Sequence, residues 1–194
     1  MNELYVHSSA DVDDAATVGL GAKIWHGAQV REGAVVGENC IVGKNVYVGA
    51  GVTIGPNCKV QNNAALYEGL TLEAGAFVGP SAVFTNDRNP RAINSDGSLK
   101  APDDWDLGRT VVRYGATVGA SSTVLPGLVI GRWALVGAGS VVTRDVRDHE
   151  LVKGNPARQA GWVCSCGKLL SEALDCEECK ATYVERDSGL QSAD

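Results

Sequence analysis

No apolar run in this 194-residue chain approaches the roughly 18 residues that span a membrane. The acidic start around Asp11, Asp13 and Asp14 lacks the basic, then apolar, layout of a signal peptide, so cytoplasmic residence is the expectation that remains. Positive charge is also short. A formal net charge of −6 argues against a dedicated nucleic-acid surface, although a local Lys/Arg cluster can still hold phosphates. Histidine is scarce: His7, His26 and His149 are too scattered to converge on one metal from neighbouring turns of a repeat. Long helical patterns are missing too, and the length suits one main domain with room for an appendage.

What the chain has instead is a period of six. Val12, Val18, Ile24, Val30, Val36, Val42, Val48, Ile54, Val60, Leu66, Leu72, Val78 and Phe84 follow one another at that step. With 44% hydrophobic residues, chance would give such a run at a frequency on the order of 10⁻⁵. A second train runs through Val112, Val118, Val124, Ile130, Val136 and Val142. Two positions before each apolar residue the side chain is usually small, as at Ala22, Ala28, Ala34, Cys40, Cys58 and Ala64, and glycine often follows directly. A helix repeats its apolar stripe at three and four, so six excludes it. The period fits short strands joined by tight corners, three hexapeptides to a turn of a triangular parallel β-helix. The expected fold class is therefore all-β.

Residues three hexapeptides apart then lie above one another. At a strand spacing of about 4.8 Å, six or so coils make a prism roughly 30 Å long. Cys40 and Cys58 fall one coil apart as buried packing thiols. Gln61, Asn62 and Asn63 replace a glycine-rich corner and read as an Asn ladder satisfying corner backbone groups. The pair Trp25 and His26 reads as structural, with nucleotide contact as the competing idea. Periodicity stops after Val142, and the segment from Arg144 to Trp162 is expected to cap the prism.

The two trains are out of phase by an excursion of 22 residues, a loop over about 85–111 that holds Asn86, Asp87, Arg88, Asn89, Pro90, Arg91 and Trp105. A loop of this length without its own period is functional or disordered, and Trp105 predicts that it packs on something, with a neighbouring subunit as the surface. Stacking places Asn86 one coil above Glu68, with Tyr67 beside it.

The string Gly137-Ala138-Gly139-Ser140-Val141-Val142-Thr143, followed by Gly154-Asn155-Pro156-Ala157-Arg158, resembles the end of hexapeptide-repeat acyltransferases. Gln61-Asn62-Asn63, Tyr67-Glu68-Gly69, Val78-Gly79-Pro80-Ser81, Phe84-Thr85-Asn86, Asn89-Pro90-Arg91 and Pro156-Ala157-Arg158-Gln159-Ala160-Gly161-Trp162 narrow this. Together they resemble the bacterial N-acetyltransferases of nucleotide-linked 3-amino sugars, the UDP-2-acetamido-3-amino-2,3-dideoxy-glucuronate N-acetyltransferases and their dTDP-3-amino-sugar relatives, over roughly residues 20 to 163. The resemblance implies a left-handed β-helix, a homotrimer, and acetyl-CoA and sugar bound in clefts between adjacent prisms. It implies a role in surface polysaccharide or glycan biosynthesis, with no nucleic acid and no membrane as partner.

Acetyl transfer from a thioester to an amine needs a neutral nucleophile, a place for the oxyanion and an anchored donor. A sugar amine titrates roughly as an α-amino group, near 8, so about a tenth is neutral at pH 7 and a strong protein base is dispensable. By the resemblance, Asn86 accepts a hydrogen bond from the amine and aims its lone pair at the thioester carbonyl, with Glu68 in reserve as general base. Ala120 and Ala138, at glycine-rich corners, are assigned to the pantetheine arm and the oxyanion. Lys153 and Arg158 are assigned to the phosphates of the coenzyme and Pro156 to its adenine. Arg91, assisted by Arg31, is assigned to a sugar carboxylate or pyrophosphate, beside Tyr67. Two alternatives stay open: an O-acetyltransferase of a sugar, which would need a true base, and a non-catalytic trimeric scaffold, because repeats alone carry no chemistry. A β-helical carbonic anhydrase is excluded by the scattered histidines.

Cys164-Ser-Cys166 and Cys176-Glu-Glu-Cys179 set two thiol pairs nine residues apart. In a reducing cytosol this favours a tetrahedral Zn²⁺ that uses all four thiolates, a structural and not a catalytic metal, against disulfides or free thiols. The expected division is a β-helix over 1–162, a zinc-ribbon-like tail over 163–186 and a disordered end over 187–194.

Overall fold

The computed structural model describes residues 3–193. Two-residue strands alternate with four-residue corners and stack into three parallel walls, so the chain is the parallel β-helix that the period of six requires. Among the described residues the first wall runs Tyr5–Val6, Lys23–Ile24, Ile41–Val42, Lys59–Val60, Phe77–Val78, Thr117–Val118, Leu135–Val136 and Glu150–Lys153. The strand Arg158–Trp162 closes it antiparallel to Glu150–Lys153. The second wall runs from Asp11–Val12 to Val141–Val142 and the third from Thr17–Val18 to Val129–Ile130.

Each strand sends its second residue inward. Val30, Val36, Val42, Val48, Ile54, Val60, Leu66, Leu72, Val78 and Phe84 are all buried, and each such side chain contributes about 1.5–3 kcal/mol of hydrophobic stabilisation. The small residues two positions earlier fill the corners beside them: Ala22, Ala28, Ala34, Ala64 and Ala82 are buried, and the Cys40 and Cys58 thiols donate inside the wall to the carbonyls of Gly55 and Glu73, each at 3.1 Å. Backbone groups pair with the turn above and below, as in Lys59 with Ile41 on one side and Phe77 on the other.

The first wall is longer than the hexapeptide count suggested. Tyr5–Val6 precedes the first train, and Leu151–Val152 pairs with Leu135–Val136 although the spacing has slipped from the repeat. Eight parallel strands at about 4.8 Å make a prism about 34 Å long, not 30 Å. The Asn ladder is present: Asn45 and Asn63 both take φ near +60°, which asparagine tolerates, the Asn45 amide donates to Asn63 Oδ1 at 3.3 Å, and Asn62 Oδ1 accepts from the Lys44 N–H at 2.9 Å.

Residues 187–193 differ from the expected disordered end. Gly189–Ser192 pairs antiparallel with Tyr183–Arg186, Leu190 is 1% exposed, and the Asp148 N–H donates to the Ser188 carbonyl at 2.8 Å. Acidic composition argued for disorder, but the two backbone partners that Asp148 offers and a buried Leu190 hold the segment in place. No helix among the described residues is long and apolar enough to cross a membrane.

Candidate active site

The three edges of the prism carry different chemistry. The first edge, where the chain turns from the first wall into the second, holds Ala120, Ala138 and the neighbourhood of Lys153. Gly79, Gly119 and Gly137 line it, and a Cβ at Gly119 would stand 2.6 Å from the Ala138 nitrogen, so successive corners approach closely only with glycine there. Lys153 ends the last parallel strand of the wall, and Arg158 begins the antiparallel strand beside it. Pro156 lies in the turn between them after a cis peptide bond with Asn155. Lys153, Pro156 and Arg158 are all exposed, and Arg158 Nη1 donates to the Ala157 carbonyl at 2.9 Å.

The second edge, between the second and third walls, carries the excursion. Phe84 pairs with Leu66, so the chain leaves the wall with Asn86 one turn above Glu68, as the count of eighteen predicted. The excursion is folded, not structureless. Asp87 bridges to Leu107 and Ile93 to Leu99, Asn94 N–H donates to the Ser98 carbonyl at 2.8 Å, and a short 3-10 turn spans Pro102–Asp104. The arm rejoins the third wall at Thr110–Val112, paired with Leu70–Leu72. Asn86 is half-buried at its base. Trp105 is half-buried as well and shares a hollow of about 380 Å³ within the arm with Asp87, Arg88 and Lys100.

A second hollow of about 480 Å³ is lined by Thr85 and Asp87, the chain neighbours of Asn86, with Arg88, Pro90, Leu125 and Pro126; Asn86 itself does not line it. Arg88 spans it, donating to the Pro126 carbonyl at 3.1 Å. Sequence reasoning passed over Arg88 and Pro126, although Arg88 lies inside the Asn86–Arg91 string. Below Asn86, Tyr67 and Glu68 are exposed, and the Tyr67 ring meets Tyr47 at 5.5 Å. Arg31, two turns below Tyr67, is held by Glu32 through bonds of 2.7 and 2.8 Å, while Arg91 on the arm is exposed and bonds the neighbouring Pro90 carbonyl. The edge brings Tyr67, Glu68 and Asn86 together. Ala120, Ala138, Lys153, Pro156 and Arg158 lie along another edge, with the second wall between them.

None of the three histidines reaches either edge site. His7 and His26 stack on each other at 3.5 Å on the first turns, and His149 lies buried under the tail with Nδ1 2.8 Å from the Val163 carbonyl. Trp25 extends the first stack, 6.2 Å from His26.

The third edge, between the third and first walls, receives the tail. Tyr183 packs on His149 at 4.8 Å and its hydroxyl meets Cys164 Sγ at 3.2 Å. Cys164, Cys166, Cys176 and Cys179 place all four sulfurs within 4.8 Å of one another, with 3.4 Å from Cys164 to Cys179 and 3.6 Å from Cys166 to Cys176. Four thiolates about 2.3 Å from a tetrahedral zinc stand about 3.8 Å apart, so the cluster has the size such an ion requires. Disulfide bonds are far shorter, and all four thiols are free. Burial pushes the Cys164 thiol up, but the Cys166 N–H, the Tyr183 hydroxyl and the Cys179 thiol outweigh it and bring its pKa to about 6, which favours the thiolate a metal binds.

Comparison with known proteins agrees with this architecture. Residues 33–68 and 115–144 match the hexapeptide repeat of succinyl-transferase, and residues 15–50 match the bacterial transferase hexapeptide. The chain is 55% identical over 64 residues to dTDP-3-amino-3,6-dideoxy-alpha-D-galactopyranose 3-N-acetyltransferase of Aneurinibacillus thermoaerophilus, a stretch covering 33% of each protein. It is 34% identical over 101 residues to the serine acetyltransferase of Escherichia coli, covering 50% of this chain and 36% of that enzyme. These matches span about a third of the length of the curated relatives. A hexapeptide-repeat acetyltransferase of Vibrio cholerae, solved with acetyl coenzyme A, superimposes with a TM-score of 0.57 at 22% identity, covering 67% of this chain and 70% of that one, which shows a shared fold. Residues 15–68 and 115–144 thus carry the hexapeptide repeat described for bacterial transferases.

Proposed function

We propose that the protein is an acetyl-CoA-dependent N-acetyltransferase that acetylates the amino group of a nucleotide-linked 3-amino sugar, carried on UDP or dTDP, in the biosynthesis of a surface polysaccharide or glycan. The observation that carries this reading is Asn86, a neutral amide half-buried at the base of a folded arm and away from every histidine. Such a site suits an amine, which attacks as its free base, and not a hydroxyl, which needs a proton acceptor. The identity to a dTDP-3-amino-sugar 3-N-acetyltransferase supports the same substrate class.

In the proposed reaction Asn86 Oδ1 accepts one amine N–H and turns the nitrogen lone pair toward the thioester carbonyl. Nitrogen bonds to the acetyl carbon, the C–S bond breaks, and the amine proton passes to the departing thiolate or to water. Glu68, exposed one turn below, is the reserve acceptor for that proton. Backbone N–H groups at the Ala120 and Ala138 corners hold the pantetheine arm and the developing oxyanion. Lys153 and Arg158 meet the coenzyme phosphates, Pro156 flanks the adenine, and Tyr67, Arg91 and Arg31 contact the nucleotide sugar.

Because the coenzyme residues and Asn86 occupy different edges, one chain does not complete the site. A cyclic homotrimer sets the first edge of each prism against the second edge of the next and gives three composite clefts, the closed symmetry that a heterologous interface requires. The four tail cysteines hold one structural Zn²⁺, whose filled coordination shell leaves no position for substrate. Reduced thiols and acetyl-CoA both fit residence in the cytoplasm.

The test is release of free thiol from acetyl-CoA in the presence of UDP- and dTDP-linked 3-amino sugars, with the 3-hydroxy sugars alongside. Saturable release with an amino sugar supports the proposal. Release with none of the amino sugars, or equal release with the hydroxy sugars, overturns it.

A further inference from the structure

The cysteine tail is tied to both strands of the same hairpin that carries Lys153 and Arg158, at the open end where Glu150 pairs with Trp162; Lys153 pairs with Arg158 at the opposite, turn end. At the start of the hairpin, Arg147 Nη1 donates to Glu185 Oε1 of the tail at 3.2 Å, and Asp148 exchanges backbone bonds with Ser188 and Leu190 at 2.8 and 3.1 Å. On the returning strand, at the same end, Cys164 follows two residues after Trp162, and the Val163 N–H donates to the His149 carbonyl at 2.8 Å. Arg147 also reaches along the returning strand: its guanidinium lies 4.6 Å over the Trp162 ring, and Nη2 donates to Gln159 Oε1 at 3.0 Å, next to Arg158.

The tail has little to hold it together apart from its cysteines. Its buried core consists of Cys164, Cys176, Tyr183 and Leu190, with Trp162, Leu170, Leu174 and Ala181 packed against them. Modules this small depend on a metal or a covalent link for their fold. Among the described residues, the strand Arg158–Trp162 has Glu150–Lys153 as its one strand partner and ends the wall.

We infer that the metal-filled cysteine knot is a brace for the coenzyme end of the prism: the metal folds the tail, the tail clamps both strands of the Glu150–Lys153 and Arg158–Trp162 hairpin at its open end, and the hairpin, with Arg147 reaching along it to Gln159, thereby holds Lys153 and Arg158 in position for the coenzyme phosphates. The coenzyme half of this statement rests on the acetyltransferase proposal; the clamping half does not. Asn86, Tyr67 and Arg91 lie on a different edge and share no bond with the tail, so the metal governs one substrate and not the other. In this scheme Glu185 is a positioning residue.

The experiment uses the whole chain in three forms: as purified, stripped of metal by a chelator, and as Glu185→Ala with metal retained. Metal content is measured directly, and light scattering verifies that the assembly persists. The expected result is one metal ion per chain, a loss of amide hydrogen-exchange protection over residues 158–162 on stripping, and acetyl-CoA binding at least tenfold weaker with amino-sugar nucleotide binding unchanged. Zn²⁺ or Co²⁺ restores the affinity, and Co²⁺ adds a thiolate charge-transfer band. Glu185→Ala weakens acetyl-CoA binding severalfold while the metal stays bound. A protein purified without metal, unchanged exchange over 158–162 on stripping, or equal loss of both ligands overturns the brace. If exchange rises on stripping but the metal-loaded protein binds no acetyl-CoA, the clamp stands and the acetyltransferase reading falls.

Discussion

The Gly108 N–H donates to the Asn86 carbonyl at 2.8 Å and closes the base of the arm where the chain leaves the second wall and comes back to the third. This bond uses the main chain of Asn86, so its side chain has no structural duty there. Asn86→Ala is therefore expected to keep the fold and assembly while kcat falls about a hundredfold, the scale of a lost positioned hydrogen-bonding group. Steady-state kinetics beside light scattering check this; unchanged turnover removes Asn86 from the reaction.

The division of the site between two edges has a sharper consequence. In the proposed trimer, Ala138→Glu blocks the coenzyme edge with bulk and negative charge and Asn86→Ala disables the arm edge, so each variant alone is poorly active. Co-refolded in equal amounts, random trimers pair an intact first edge with an intact second edge at about one interface in four, and roughly a quarter of wild-type turnover returns. A mixture no more active than its components means that both sets of residues act within one chain.

Gly115 sits at φ +69°, and a Cβ there would run into the Trp133 ring, which also meets Tyr114 edge-on at 5.2 Å. Gly115→Ala combines left-handed backbone strain with a displaced indole and is expected to cost about 1–3 kcal/mol. Urea unfolding followed by tryptophan fluorescence measures it, and a midpoint equal to wild type would refute the account.

Burial holds the His149 pKa below its ordinary value of 6.5, against upward pulls from the Val163 carbonyl and Asp148 and with a smaller downward one from Arg132. The unfolded chain thus takes up this proton at a higher pH than the folded chain. The stability His149 contributes is complete above about 6.5 and declines as pH falls toward the folded pKa. Melting temperature should drop more steeply on acidification below pH 6.5 in the wild type than in His149→Asn, a residue that tolerates the φ of +62° there. Parallel curves for the two proteins would contradict this.

Much of the architecture was legible because one constraint repeats. A valine or isoleucine every six residues, with alanine or cysteine two places earlier, leaves little freedom once strands and corners must share a closed wall. The same count put Asn86 above Glu68. The arm was invisible as structure because its bridges, Asp87 to Leu107 and Ile93 to Leu99, obey no period. The last rung was missed for a related reason: Leu151–Val152 keeps the register while dropping residues from the corner before it. Cysteine spacing announced the cluster, whereas its docking depends on Arg147 and Glu185, a pairing across the chain that spacing does not signal. The acidic final residues read as solvated, yet Gly189 lies against Asp148 so closely that only a glycine fits, at φ +125°.

Because each rung bonds to the one laid down a single turn earlier, the prism suits assembly during synthesis: every new turn emerging from the ribosome meets a finished template. The exception is the turn across the arm, where Leu72 and Val112, Val78 and Val118, and Phe84 and Val124 are wall neighbours although the whole arm separates them in the chain. There all three walls keep an open edge until the arm has been made and has folded back. The bond from Gly108 to Asn86 brings Thr110 beside Leu70, so the arm that carries the candidate chemistry also closes the loop on which the next rung is laid.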